Sequence, residues 1–124
     1  LAFVDHEQYW LEEAPILLVC VANPTGWIGG QPIYVHEEAE FMGLKRVIRD
    51  TSMAIMQMAI EAENQGLASC ITAWYQQLDV RPLLEIPEDQ YVVSIMALGY
   101  GKEEPEEKPR KELEDIIYYE KWKS

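Results

Sequence analysis

The chain has 124 residues, 48% of them apolar, and carries 22 acids against 10 bases for a net charge of −12. That length supports one domain, residues 1–124, able to bury roughly two-thirds of its unfolded surface, and that charge excludes a nucleic-acid or anionic-membrane partner, both of which demand a basic footprint. The longest apolar run, residues 14–22, is far short of the ~20 residues of a membrane span. Cys20 and Cys70 sit in apolar runs without CxxC or metal spacing. With no signal peptide at the start, the expectation is a cytoplasmic protein with two buried free thiols.

In chain order, residues 1–13 scatter Leu1, Val4, Trp10 and Leu11 among acids, as the end of a helix does, and Pro15 stops it. The first residue is Leu, with no initiator Met and no capping signal, so the N-terminus reads as cut or processed. Residues 16–22 (ILLVCVA) are an unbroken apolar run between Pro15 and Asn23-Pro24, the pattern of a strand buried on both faces. Residues 23–35 hold three Gly and two Pro and read as a loop or lid. Residues 36–48 are weakly helical, with acids first and Lys45 and Arg46 last, as the helix dipole favours. Asp50, Thr51 and Ser52 then offer three capping side chains in succession. Behind them run Met53, Ala54, Ile55, Met56, Met58, Ala59, Ile60 and Ala62, with polar breaks only at Gln57, Glu61, Glu63 and Asn64. A helix apolar nearly all round is expected to be buried, and one this apolar in so short a chain calls for a partner to cover it.

Gly66 is placed to end that helix in a left-handed cap. A short strand at 69–73, a brief helix at 79–84 and a turn at Ile86-Pro87-Glu88 follow. Residues 91–100 (YVVSIMALGY) read as a second fully buried strand closed by Gly99 and Gly101. The tail from Lys102 begins charged and Pro-broken, then turns apolar at Ile116, Ile117, Tyr118, Tyr119 and Trp122. It is expected to dock on another subunit, as an added strand at a sheet edge. No repeat is present, and helices and strands interleave without a regular βαβ period, which points to α+β.

Side chains that could do chemistry are few. His6 and His36 have no ligand-type partner at helical or strand spacing, and a solvated surface position is the better reading of both. Gly26, Gly29 and Gly30 form no phosphate or dinucleotide fingerprint, and no Ser or Cys sits in a nucleophile elbow. Acidic doublets such as Glu37-Glu38 and Glu106-Glu107 read as solvated faces. No metal site and no catalytic side chain are expected. Lys108-Pro109-Arg110-Lys111 is a basic knot in an acidic chain. A stiff Lys-x-Arg can hold a phosphate; equally, the knot can be a solubilising cluster paired with Glu106, Glu107 and Glu112.

From about Trp10 onward the chain resembles the C-terminal part of the FMN-dependent nitroreductase family. The resemblance rests on the order of several pieces: Glu13-Ala14-Pro15 opening a strand, Arg49-Asp50 leading into the apolar helix, and Gly66-Leu67-Ala68-Ser69-Cys70. Ile86-Pro87-Glu88 then precedes a strand ending Leu98-Gly99-Tyr100, and Lys108-Pro109-Arg110 precedes Leu113-Glu114-Asp115-Ile116. Such a resemblance implies a mixed or antiparallel sheet flanked by helices, with the long buried helix at the core of a homodimer interface. It implies that the backbone of Ile71, Thr72 and Ala73 lines the flavin ring and that Lys108 and Arg110 grip the FMN phosphate. The implied reaction is hydride transfer from NAD(P)H, via flavin N5, to a nitroaromatic, quinone or similar small acceptor. The cofactor does the chemistry, in keeping with the lack of a catalytic side chain. One departure stands out: residues 1–13 contain nothing like the N-terminal Arg-Arg-Ser-type motif that also holds the flavin in this family. The chain is therefore expected to be N-terminally truncated, and the alternative to an enzyme is a non-catalytic dimeric module or flavin-free fragment of the same fold.

Overall fold

The computed structural model describes residues 1–2, 4–24, 42–102 and 105–122. Its elements are a 3-10 turn at Tyr9–Glu13, β1 (Ile16–Ala22), α1 (Met42–Asn64), β2 (Ala68–Thr72), α2 (Gln77–Leu83), β3 (Tyr91–Gly99) and α3 (Leu113–Ile116). The loop expected after Pro24, with its three glycines, and the start of the helix expected at 36–48, His36 included, lie outside the described residues.

β3 is the most continuously apolar strand and takes the central place, in the order β1-β3-β2, with both neighbours antiparallel to it. Ile16 pairs with Leu98 and Cys20 with Ser94; the register then skips Val93, so that Val21 lies opposite Val92 in a bulge. Side chains alternate across the sheet. Ile95 joins Tyr75, Val80 and Val92 in a buried cluster, against which Val4, Leu17 and Ile86 pack; Ala97 joins Ala2 and Leu11 on the same face. The opposite face, with Leu18, Met96 and Leu98, meets Ala54, Met58 and Ala62 of α1 across a groove. The fold is thus α+β, an antiparallel sheet between α1 on one side and the N-terminal segment with α2 on the other.

β1 is not buried on both faces as its composition implies: Ile16 and Val21 are exposed, because β1 is an outer strand of the described sheet. The described residues of 1–13 contain no α-helix either. They form a bend, with His6 and Glu7 in the left-handed region, followed by the 3-10 turn.

α1 differs from expectation in two ways. It runs unbroken from Met42, so Asp50, Thr51 and Ser52 are interior residues and not caps. Ser52 is tolerated there because its hydroxyl donates to the Ile48 carbonyl one turn back, at 2.7 Å. Nor is the helix buried all round: Leu44, Val47, Ile55 and Ala62 are buried, whereas Met53, Met56 and Ile60 are 64%, 54% and 63% exposed. A single sheet covers only one stripe of a helix, so among the described residues the second apolar stripe is left open. The end of α1 is as expected. Gly66 has φ of 74°, Leu67 N–H donates to the Ala62 carbonyl at 2.9 Å and Gly66 N–H to the Glu63 carbonyl at 3.0 Å, which is the Schellman pattern.

α2 is fastened to β3 by two buried polar residues with no counterpart in the apolar pattern. The Gln77 amide donates to the Val92 carbonyl at 2.8 Å and accepts from Val92 N–H at 2.9 Å. Arg81 donates to the Glu88 and Gln90 carbonyls, so the turn before β3 is held by a guanidinium whose charge is spread over backbone oxygens.

Gly99 ends β3 where the chain passes Pro15: a Cβ there would lie 2.7 Å from Pro15 Cδ and 3.0 Å from Cγ. The Pro15 ring cannot swing aside as a flexible side chain could. Gly99→Ala is therefore expected to destabilise the fold by about 1–3 kcal/mol, read as a lower urea midpoint at unchanged slope. An unaltered midpoint would show that the β1 and β3 ends separate freely.

Candidate functional site

Two groups of residues carry the sequence-based expectation of a site, and the structure places them on different elements. Ile71 and Thr72 lie at the end of β2, and Ala73 follows directly. β2 is an outer strand of the described sheet, and its residues are largely exposed, Ile71 among them. In an outer strand, alternate residues turn their N–H and C=O away from the sheet, free for another partner.

The Thr72 hydroxyl is engaged both as donor and as acceptor. Its hydroxyl donates to Asp5 Oδ2 at 2.7 Å and accepts from Gln8 Nε2 at 3.1 Å. Asp5 is wholly buried, and its Oδ1 has no hydrogen-bond partner among the described residues. Two residues on, the Trp74 ring stacks on His6, with centroids 4.7 Å apart and planes 22° from parallel. His6 is solvent-exposed, as expected, but it is not idle. The bend that delivers these groups holds His6 and Glu7 at φ of 50° and 58°, a conformation costing about 1 kcal/mol or more per non-glycine residue. Asp5 and Gln8 had no signal in the sequence: they are 67 and 64 residues from Thr72 and belong to no motif.

At the other end of β2, a cleft of about 260 Å³ opens between Pro15, Ala68, Cys70, Gly99, Tyr100 and Lys102. Cys70 is exposed and Cys20 half-buried, both as free thiols. The burial expected of Cys70 fails because β2 is an outer strand. Beside this cleft the Lys102 ammonium donates to Glu13 Oε2 at 2.6 Å. That hydrogen bond, and then the charge behind it, hold the Glu13 carboxyl below its ordinary value and the Lys102 ammonium above its own. The pair's contribution on the Glu13 side is therefore lost as pH falls through the lowered carboxyl value, and on the Lys102 side as pH rises through the raised ammonium value. Both groups are solvent-exposed, so the pair orients the arm after β3 more than it stabilises the fold.

Lys108 and Arg110 lie on the extended segment between β3 and α3 and are exposed. Neither pairs with Glu106, Glu107 or Glu112, and neither makes a hydrogen bond or ion pair to any described residue. The basic knot is thus not neutralised by its acidic neighbours. No hydrogen bond or ion pair joins it to Ile71–Ala73 within this chain. The tail adds no strand to the described sheet; α3 is exposed, and Tyr118 packs against Trp122 at 4.4 Å. Among the described residues no group of His, Cys, Asp or Glu is placed to hold a metal ion, and no helix is long and apolar enough to cross a membrane.

Comparison with known proteins gives this geometry a context. Residues 2–100 match the nitroreductase family. No curated protein sequence matches at a significant level. Among solved structures, a candidate oxidoreductase from Bacteroides fragilis superposes with a TM-score of 0.82 at 23% identity, over 100% of this chain and 52% of its own. Nitroreductase A from Vibrio parahaemolyticus superposes with 0.79 at 19% identity, over 99% of this chain and 53% of its own. The NADPH:FMN oxidoreductase of Vibrio harveyi, solved with NAD+, gives 0.79 at 21% identity, over 99% and 54%. The chain therefore spans about half the length of these solved structures.

Proposed function

The chain belongs to the nitroreductase family, and from that premise we propose that it is an FMN-dependent oxidoreductase of the cytoplasm, working as a homodimer. The carrying observation is the outer strand β2. It is an exposed strand end with one edge unpaired in the described sheet, and the described side chains present no acid–base or nucleophilic centre. Ile71, Thr72 and Ala73 would line the ring through their backbone, since the Thr72 hydroxyl is already committed to Asp5 and Gln8. Lys108 and Arg110, two cations without an anionic partner among the described residues, fit the phosphate. FMN, when bound, supplies hydride transfer from NADH or NADPH to a nitroaromatic, quinone or similar small acceptor. The protein's part is to bind, orient and shield it.

A second reading, a flavin-free dimeric module of the same fold, is favoured by the separation of the two candidate contacts: among the described residues no hydrogen bond or ion pair joins Lys108 or Arg110 to Ile71–Ala73. One titration separates the two. FMN fluorescence is expected to be quenched saturably by the 124-residue chain, and anaerobic NADH or NADPH is expected to bleach the bound flavin. Absence of quenching up to high protein concentration overturns the flavin site assigned to these 124 residues and favours the flavin-free module or fragment.

A further inference from the structure

We infer that Asp5 and Gln8 are positioning residues, which clamp the strand end 71–74 through the Thr72 hydroxyl and so set the backbone that we assign to the flavin ring. The inference rests on the proposed flavin site but comes from contacts which that reading does not use.

An outer strand is held by hydrogen bonds along one edge only, and its last residues fray readily. The end of β2 is instead gripped from three directions. β3 pairs Thr72 with Ile95. Asp5 Oδ2 accepts from the Thr72 hydroxyl and Gln8 Nε2 donates to it. His6 lies flat on Trp74, two residues beyond. All three N-terminal groups come from four consecutive residues, and the bend that presents them adopts left-handed backbone at two non-glycine positions. A buried carboxylate with one oxygen lacking a partner among the described residues adds little to stability. Strain and an incompletely satisfied buried charge at one place mark a segment shaped for position. With its hydroxyl tied inward, Thr72 can address a ligand through its backbone alone.

The test compares knock-out and conservative variants of the 124-residue chain. Thr72→Val and Asp5→Leu remove the hydrogen bonds at nearly constant volume; Thr72→Ser and Asp5→Asn keep a hydroxyl and an acceptor. Thr72→Val and Asp5→Leu are expected to speed amide exchange at residues 71–74 by about tenfold or more relative to the rest of the sheet. They are also expected to weaken FMN and riboflavin alike, by roughly twofold to tenfold, the worth of a side-chain hydrogen bond. Thr72→Ser and Asp5→Asn are expected to restore both readouts to near wild type, and with them the visible circular dichroism of bound FMN. A uniform rise in exchange across the sheet, with flavin affinities unchanged, overturns the clamp and leaves an ordinary stability element. If the wild type binds neither flavin, the flavin assignment fails. The clamp is then decided by exchange alone: local acceleration in Thr72→Val supports it, and unchanged exchange at 71–74 overturns it.

Discussion

Replacing Ile60 by Asp is expected to turn a dimer into a monomer. Met53, Met56 and Ile60 are spaced three and four residues apart, so they form one stripe of α1, and each is more than half exposed although Ile55 and Ala62 on the same helix are buried. A contiguous apolar stripe of this kind on a chain of net charge −12 is the type of patch that marks an interaction surface. The proposed occupant is the same stripe of a second copy, in a two-fold contact where each Ile60 meets its partner's helix. A carboxylate placed there must be desolvated without a counter-charge. Dissociation should therefore rise by about a hundredfold or more, the size of effect seen when a central interface residue is lost. Sedimentation velocity at micromolar concentration checks this, with Glu61→Gln, a neighbouring substitution that removes a charge, as the comparison. A monomeric wild type, or an Ile60→Asp protein that sediments as the wild type does, rejects the homodimer.

Arg110→Ala is expected to weaken FMN by about ten- to a hundredfold and to leave riboflavin nearly untouched. A charge-assisted contact to phosphate is worth roughly 1.5–3 kcal/mol. Arg110 is exposed, with no carboxylate partner among the described residues to release first. Riboflavin lacks the phosphate, so it reports everything else the site does. Flavin fluorescence quenching with both ligands and both proteins gives the four dissociation constants required. Equal weakening of the two ligands would mean that Arg110 does not read the phosphate. The Thr72 variants behave differently: loss of the clamp is expected to lower both affinities, whereas loss of Arg110 is expected to lower only one.

Much of the fold was legible because it is written in short-range patterns. The run from Tyr91 to Tyr100 read as a fully buried strand; as far as Gly99 it is the central one, whereas Tyr100 lies beyond it and is exposed. Gly66 read as a left-handed cap and has the backbone angle and hydrogen bonds of one. The order of Gly66-Leu67-Ala68, Ile86-Pro87-Glu88 and Leu98-Gly99-Tyr100 pointed to the family that residues 2–100 match. Local chemistry misled where several states were open to it. Asp50, Thr51 and Ser52 cap helices well, but a hydroxyl can also bond one turn back, and Ser52 does so inside an unbroken α1.

Composition by itself determined an acidic α+β chain with one long apolar helix, two strongly apolar strands and an isolated basic knot. Only the tertiary structure decided which of those strands is central, and hence that Cys70, Ile16 and Val21 are exposed and which stripe of α1 remains open. It alone brought Asp5 and Gln8 to Thr72 and set Gln77 and Arg81 beneath β3. The physical reason is range. Helix caps and strand runs are settled by neighbours a few residues apart, whereas burial on an outer strand and a hydrogen bond across 67 residues depend on the order in which strands pair, which no local pattern encodes.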